Sequence, residues 1–394
     1  MQLFNQPHDK PVFMLLLMPV VLLILMLGAC QAQTQNQTGN QTGDQKTGES
    51  VGFKTVQLVD GLKHPWSLAF LSPGEVLVTE RRGKLFKINL DSASRTEITG
   101  LPEIRAKGQG GLLDVVLHPD YEKNGWIYFS FAAPGEGGIS TEVARAKLKD
   151  SRLVDWQTLF RLLPKTNSGY HFGSRLVFDR QGFLFITLGD RGQRHRSQQL
   201  DDHAGSVIRL HDDGRIPVDN PFINTPNARP EIFSYGHRNP QGAALHPVTG
   251  RLWIHEHGPQ GGDELNLVGS GKNYGWPVIS YGEEYGTDTP VGEGTAKPGM
   301  EQPLYYWVPS IAPSGMTFYQ GDRFPQWQDN LFIGSLKFRL LVRLELDGDR
   351  VVSEERLLRD ELGRIRDVRT GPDGLLYLLT DAGDGGLYRL EPAN

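Results

Sequence analysis

Cysteine is nearly missing: the 394-residue chain has one, Cys30, so no internal disulfide can form. Surplus positive charge is missing too. The formal net charge is −5 at pH 7, which speaks against the basic face that nucleic-acid binding requires. Sustained helical periodicity is hard to find, and charged residues make up only 22% of the chain, so a coiled coil is excluded. Long apolar runs are absent from everything beyond the first thirty residues. What the chain has in quantity is glycine, 47 residues, and proline, 25. That mix fits a turn-rich all-β protein, and length alone does not force more than one folded domain.

The single apolar run spans residues 11–29, PVFMLLLMPVVLLILMLGA, with Lys10 ahead of it. It is long enough to raise the question of a transmembrane anchor. Leu27-Gly28-Ala29-Cys30 argues instead for a bacterial lipobox, in which cleavage leaves a lipidated Cys30 at the new N-terminus. An uncleaved signal anchor is the competing account. Residues 31–50, QAQTQNQTGNQTGDQKTGES, form a polar low-complexity stretch that cannot bury a core. The expected organisation is therefore a lipoprotein signal peptide at 1–29, a disordered tether at 30–50 and one catalytic domain at 51–394. Gln31 follows the cysteine where an aspartate would signal retention, so the outer membrane is favoured and the domain faces the periplasm.

From residue 51 onward, short apolar or alternating runs are punctuated by Gly, Pro, Asn and Asp. Strand, polar turn and second strand recur about six times, at spacings of about 45 to 80 residues, near or above a propeller-blade period. Five segments look like innermost strands ending in a turn: 66–70, 113–119, 175–179, 242–247 and 367–374. The expected fold is a six-bladed β-propeller of four-stranded antiparallel blades, in which loops at one end of the axis converge on one site. A β-sandwich accounts less well for the repeat count.

Several loops are richer in polar and aromatic residues than turns require. His171 lies between glycines in SGYHFGSR, and its near-neutral titration makes it a candidate general base. A loop histidine that only hydrogen-bonds is the plainer alternative. Asp190, at the end of a strand in the same unit, could orient it. Arg238 and Asn239 stand side by side in GHRNPQG, a pairing suited to a planar anion. HEHGPQGGDELN at 255–266 invites a zinc assignment, but its spacing is not the helical zinc pattern, and its acidic, carbonyl-rich tail suits a hard cation such as calcium. Arg364 and Arg366 alternate onto one side of an extended segment, and Lys337 ends a strand of another unit. Singly each is a solvated charge. In a propeller they would face one strongly cationic site that calls for a polyanion.

GQGGLLD at 108–114, HFGSRL at 171–176, GHRNPQG at 236–242, EHGP at 256–259, DELN at 263–266, KNYGWP at 272–277 and RIRD at 364–367 together resemble the soluble PQQ-dependent glucose, sorbosone and aldose sugar dehydrogenases. The likeness covers about residues 53–391, with compact loops like those of the shorter aldose dehydrogenases. It implies PQQ over the central channel, and His171 as the base that takes the anomeric hydroxyl proton with Asp190 behind it. It further implies Gln109, Arg238, Asn239, Lys337, Arg364 and Arg366 as the cofactor-binding set. Gly258 and Pro259 would give carbonyl oxygens to a calcium ion, and Glu264 and Tyr274, the latter through its backbone carbonyl, would belong to a second, structural one. Tyr170 departs from the glucose dehydrogenases, which have an acid before the histidine, and the segment 307–310 matches their cofactor-stacking segment only loosely. The implied activity is oxidation of aldoses to lactones, with electrons passed to an external quinone or cytochrome. Two other functions compete: a non-catalytic binding propeller, and a calcium-dependent lactonase. The intact His171 and arginine set disfavours the first, and the basic channel disfavours the second.

Overall fold

A computed structural model describes residues 52–393 of the chain. The expected signal peptide, the lipidation site Cys30 and the tether lie outside the described residues. Among the described residues no helix is long and apolar enough to cross a membrane.

The alternating runs become strands. EVLVTE forms the strand Glu75–Glu80 and KLFKIN forms Lys84–Asn89, joined through Gly83 at φ 102°. Only glycine takes that conformation without steric cost. The described strands form six four-stranded antiparallel sheets, the blades of a propeller. Five blades are sequential, innermost strand first. The sixth is composite: Ile365–Thr370, Leu376–Thr380 and Gly385–Pro392 come from the C-terminal end, and Phe53–Leu62 is added as the outermost strand. This pairing of the two ends closes the ring.

The inner strands are Pro65–Ser72, Leu112–Leu117, Leu176–Phe178, Pro240–Leu245, Pro313–Phe318 and Ile365–Thr370, each packed against its neighbours around the axis. Five of them coincide with the segments expected from sequence. The sixth, PSGMTF at 313–318, escapes a pattern search because Pro, Ser and Gly fill half of it and only Met316 and Phe318 show the alternation.

Apolar side chains fill the wedges between blades. Leu77 and Leu85 of the first blade meet Val115 and Phe129 of the second, and Trp253 and Leu265 of the fourth meet Ile333 and Val342 of the fifth. The axis itself is polar. Arg175 reaches Asp367 at 2.9 Å and Asp114 at 3.3 Å, while Arg369 reaches Asp114 at 2.9 Å and Asp367 at 3.0 Å. These buried ions tie the second, third and sixth blades together. Removing one partner would strand a charge, at a cost of about 3–5 kcal/mol.

Candidate active site

Antiparallel blades put the start of each inner strand and the turn between the second and third strands at the same end of the axis. His171, Gln109, Arg238, Asn239, Arg364 and Arg366 occupy the first kind of position. Asp190, Gly258, Pro259 and Lys337 occupy the second. Topology alone therefore brings these sequence-predicted residues to one end of the molecule.

His171 has φ 51°, a left-handed backbone, and Gly173 follows at φ 63°. A β-carbon on Gly189 would fall 2.3 Å from the His171 carbonyl, so glycine is what lets the His171 loop lie against the strand end that carries Asp190. The His171 main-chain N–H donates to Gln109 Oε1 at 2.8 Å, and its Nδ1 meets Asp190 Oδ1 at 2.6 Å. Asp190 also accepts the Trp276 indole N–H on Oδ2 at 2.8 Å and the Gly192 N–H on Oδ1 at 2.6 Å. Burial alone would raise the Asp190 pKa, but the hydrogen bond from His171 and the nearby positive charge hold it below the usual carboxylate value. An ionised Asp190 only accepts, so Nδ1 of His171 carries the proton and Nε2 keeps its lone pair. Burial, with help from Arg238 and Arg191, lowers the His171 pKa against the pull of Asp190. At neutral pH the ring is neutral and oriented, with Nε2 free to accept a proton.

The cationic groups form a connected set. Arg366 donates to Gln241 Oε1 at 3.3 Å, and Gln241 donates to Asn239 Oδ1 at 3.3 Å and to the Gly173 carbonyl at 3.1 Å. Arg238 donates to the His257 carbonyl at 3.1 Å and lies 5.2 Å from the Trp276 ring. Arg364 and Arg366 both reach Asp381 Oδ2, at 3.3 and 3.2 Å, while His64 meets Asp381 Oδ1 at 2.8 Å. Lys337 stands further out. Its side chain is exposed, and its link to the arginines is the neighbouring Leu336, whose carbonyl accepts from Arg364 at 3.2 Å. Arg238 and Arg366 each bury an Nε with no partner. Arginines with unspent donors, gathered at the end of the axis that carries the His171 imidazole, fit a planar polycarboxylate.

The expected metal ligands are brought together only in part. Gly258, Glu256, Glu264 and Ser280 line a cavity of about 10 Å³, next to Arg238 and Trp276. That is room for one water or one ion. Burial and the neighbouring Glu256 charge push the Glu264 carboxyl well above its usual range, and Asn266 buries an Oδ1 with no partner. The Glu256 and Glu264 carboxylates at the cavity wall are hard oxygen donors of the kind a divalent cation takes. Among the described residues no three metal-ligating side chains converge, so an ion here would lean on main-chain carbonyls and water. Pro259 offers such a carbonyl, which accepts from Tyr285 at 2.9 Å. Tyr274 does not line this cavity: its ring stacks on His237 at 4.5 Å and its hydroxyl donates to the Leu267 carbonyl. The two histidines weighed for zinc diverge, since His255 is enclosed against Gly242 while His257 Nε2 donates to the Pro313 carbonyl at 2.6 Å.

The profile of the Glucose / Sorbosone dehydrogenase family matches residues 62–389. The chain belongs to that family. It is 48% identical to the aldose sugar dehydrogenase of Escherichia coli (strain K12), over 86% of this chain and 92% of that protein. The apo-form structure of the soluble aldose sugar dehydrogenase from Escherichia coli superposes with a TM-score of 0.84 at 46% identity, covering 86% of this chain and 100% of the other. The PQQ-bound aldose sugar dehydrogenase of Streptomyces coelicolor superposes with a TM-score of 0.72 at 27% identity, covering 86% and 98%.

Four residues that the structure brings to this end of the axis were not singled out from sequence: Gln241, Trp276, Asp381 and His64. Gln241 and Trp276 stand inside the motifs already quoted, but nothing in those strings says which way they point. Asp381 had a usable signal. It follows the second strand of the sixth blade, as Asp190 follows that of the third, and each meets a histidine Nδ1.

Proposed function

We propose that this member of the glucose/sorbosone dehydrogenase family oxidises aldoses at the anomeric carbon with PQQ as its redox cofactor. The observation that carries this is the His171–Asp190 pair, with Nε2 open, beside arginines that have unspent donors. When bound, PQQ supplies the two-electron acceptor for the hydride that leaves the anomeric carbon. Arg238, Asn239, Arg364, Arg366, Lys337 and Gln109 would hold its carboxylates and oxygens. His171 Nε2 takes the proton of the anomeric hydroxyl, the C–O single bond becomes a carbonyl, and the product is the lactone. Asp190 fixes the ring and stabilises the imidazolium that results. The electrons then pass to an external acceptor, a quinone or a cytochrome.

Calcium completes this reading. The Gly258 and Pro259 carbonyls would hold one ion beside the cofactor, and Glu264 and Tyr274 would serve a second, structural ion. Support comes from the oxygen-lined cavity and the raised carboxyl within it. The N-terminal sequence supports a lipid anchor at Cys30, with a tether at 30–50 and the catalytic domain at 51–394 on the periplasmic side of a bacterial outer membrane.

Reconstitution tests the proposal. The purified protein with added PQQ and calcium should reduce a dye with aldoses, and omission of either should abolish this. His171→Ala should lose roughly 10²–10⁴-fold in kcat, the range of a general base. No PQQ binding, or full activity in His171→Ala, would overturn it.

A further inference from the structure

Arg191 follows Asp190 directly, and its side chain has 0% exposure. Other buried arginines nearby meet carboxylates: Arg175 meets Asp114 and Asp367, and Arg196 meets Asp202. Arg191 meets carbonyls instead. Its guanidinium donates to the carbonyls of Tyr170, of Ser168 at 2.6 Å and of Ile139 at 3.5 Å. The guanidinium carbon lies 3.5 Å from the centre of the Phe172 ring, and Nε has no partner. Burial pulls its pKa down to about 9, which still leaves it charged at neutral pH. A buried cation that hydrogen-bonds only to carbonyls and packs on a ring face, with the Asp190 charge as partial relief, is expensive to maintain, and an uncharged side chain would fill the space at less cost.

What those carbonyls belong to gives the cost a purpose. Ser168, Tyr170 and Phe172 flank His171, whose backbone is left-handed and is followed by two more positive φ values, 63° at Gly173 and 90° at Ser174. Such a loop persists only where its surroundings over-determine it. Two carbonyl bonds and one ring contact from a single guanidinium do this on one side, while Gln109 and Asp190 hold His171 on the other. One turn, Asp190-Arg191, thus sets both a carboxylate and a cation around the imidazole.

We propose that Arg191 is a positioning residue for His171, clamping the loop 168–172 through its carbonyls and setting a buried positive charge beside the base. The charge acts with Arg238 to keep Nε2 unprotonated, and Asp190 opposes both; His257 and Tyr170 are the other titratable groups facing the ring. The proposal rests on the dehydrogenase reading only for the role of His171 as base. Its deciding test needs neither PQQ nor activity.

That test is an NMR titration of the His171 imidazole in the full-length apo-protein with labelled histidine, assigned with His171→Gln. Arg191→Gln keeps donors and drops the charge, so the midpoint should move upward by several tenths of a pH unit or more. Arg191→Lys keeps the charge, and its midpoint should stay near that of the unaltered protein. In the loaded enzyme the acid limb of kcat/KM should move upward with the NMR midpoint in Arg191→Gln. Arg191→Lys should lower kcat without moving the limb. Equal midpoints in the unaltered protein, Arg191→Gln and Arg191→Lys would overturn the proposal, as would misfolding of both variants, which would make Arg191 structural only. Absence of aldose oxidation by the unaltered protein would sink the dehydrogenase reading and leave the titration standing.

Discussion

The proposed base, His171, is set by three partners that each settle one degree of freedom. Gln109 holds its main chain, Asp190 its tautomer, and Trp276 holds Asp190. Asp190→Asn keeps the size and loses the charge. An amide can donate to Nδ1, which would move the ring proton to Nε2 and remove the acceptor, so kcat should fall by roughly 10²–10⁴-fold with little change in thermal stability. Steady-state kinetics beside a melting curve check this, and a large drop in stability instead would make Asp190 a structural residue. The pH dependence follows from the direction of the His171 shift. The active form is the neutral ring, and its pKa lies below the ordinary 6.5, so activity should persist on the acid side of that value before it falls. At this scale the sequence was informative where chemistry shows in composition: His171 between glycines, and paired Arg238-Asn239. It was silent on the pairing of Asp381 with His64, 317 residues apart, which exists only once the ring is closed.

The strand that closes the ring, Phe53–Leu62, carries the same lesson one level up. Its sequence, FKTVQLVDGL, looks like any edge strand, and nothing in it names Gly385–Pro392 as its partner. The long connection after Asp263–Leu267 is equally opaque. That strand runs away from the site, yet the connection returns to place Trp276 on Asp190 and Tyr285 on Pro259. The inner strands, by contrast, announce themselves by apolar content, except where Pro, Ser and Gly dilute it at 313–318. Closure should matter energetically. Leu62 has 0% exposure and packs with Leu379 and Leu387, so Leu62→Ala should cost about 2–5 kcal/mol. Val352, 42% exposed in the outer strand Arg350–Leu357, is the control; Val352→Ala should stay within about 0.5 kcal/mol. Denaturant midpoints compare the two, and equal shifts would mean that closure contributes nothing special.

Taken as a whole, the molecule is acidic, with net charge −5, yet it gathers arginines at one end of its axis and buried carboxylates beside them. The buried carboxylates respond to pH in two opposite ways. Asp190 and Asp381 have lowered pKa values, so the stability they add is present above the ordinary carboxylate range and is lost as pH falls. Glu264 is the reverse case. Its folded pKa is raised from 4.5 to about 8, so its contribution is full below 4.5 and is lost as pH rises through about 8, where the folded state must ionise a carboxyl that burial and Glu256 disfavour. A cation in the adjoining cavity changes this, because it binds the ionised form. Chelator-treated protein should therefore melt at falling temperatures as pH is raised from 5 to 8, and calcium should flatten that slope, with its largest stabilisation at the alkaline end. Glu264→Gln removes the titration, so it should lose both the slope and most of the calcium effect while retaining the fold. If calcium raises the melting temperature equally at every pH, or if Glu264→Gln leaves the calcium response intact, the ion sits elsewhere. The cavity between Glu256 and Glu264 would then be a water site.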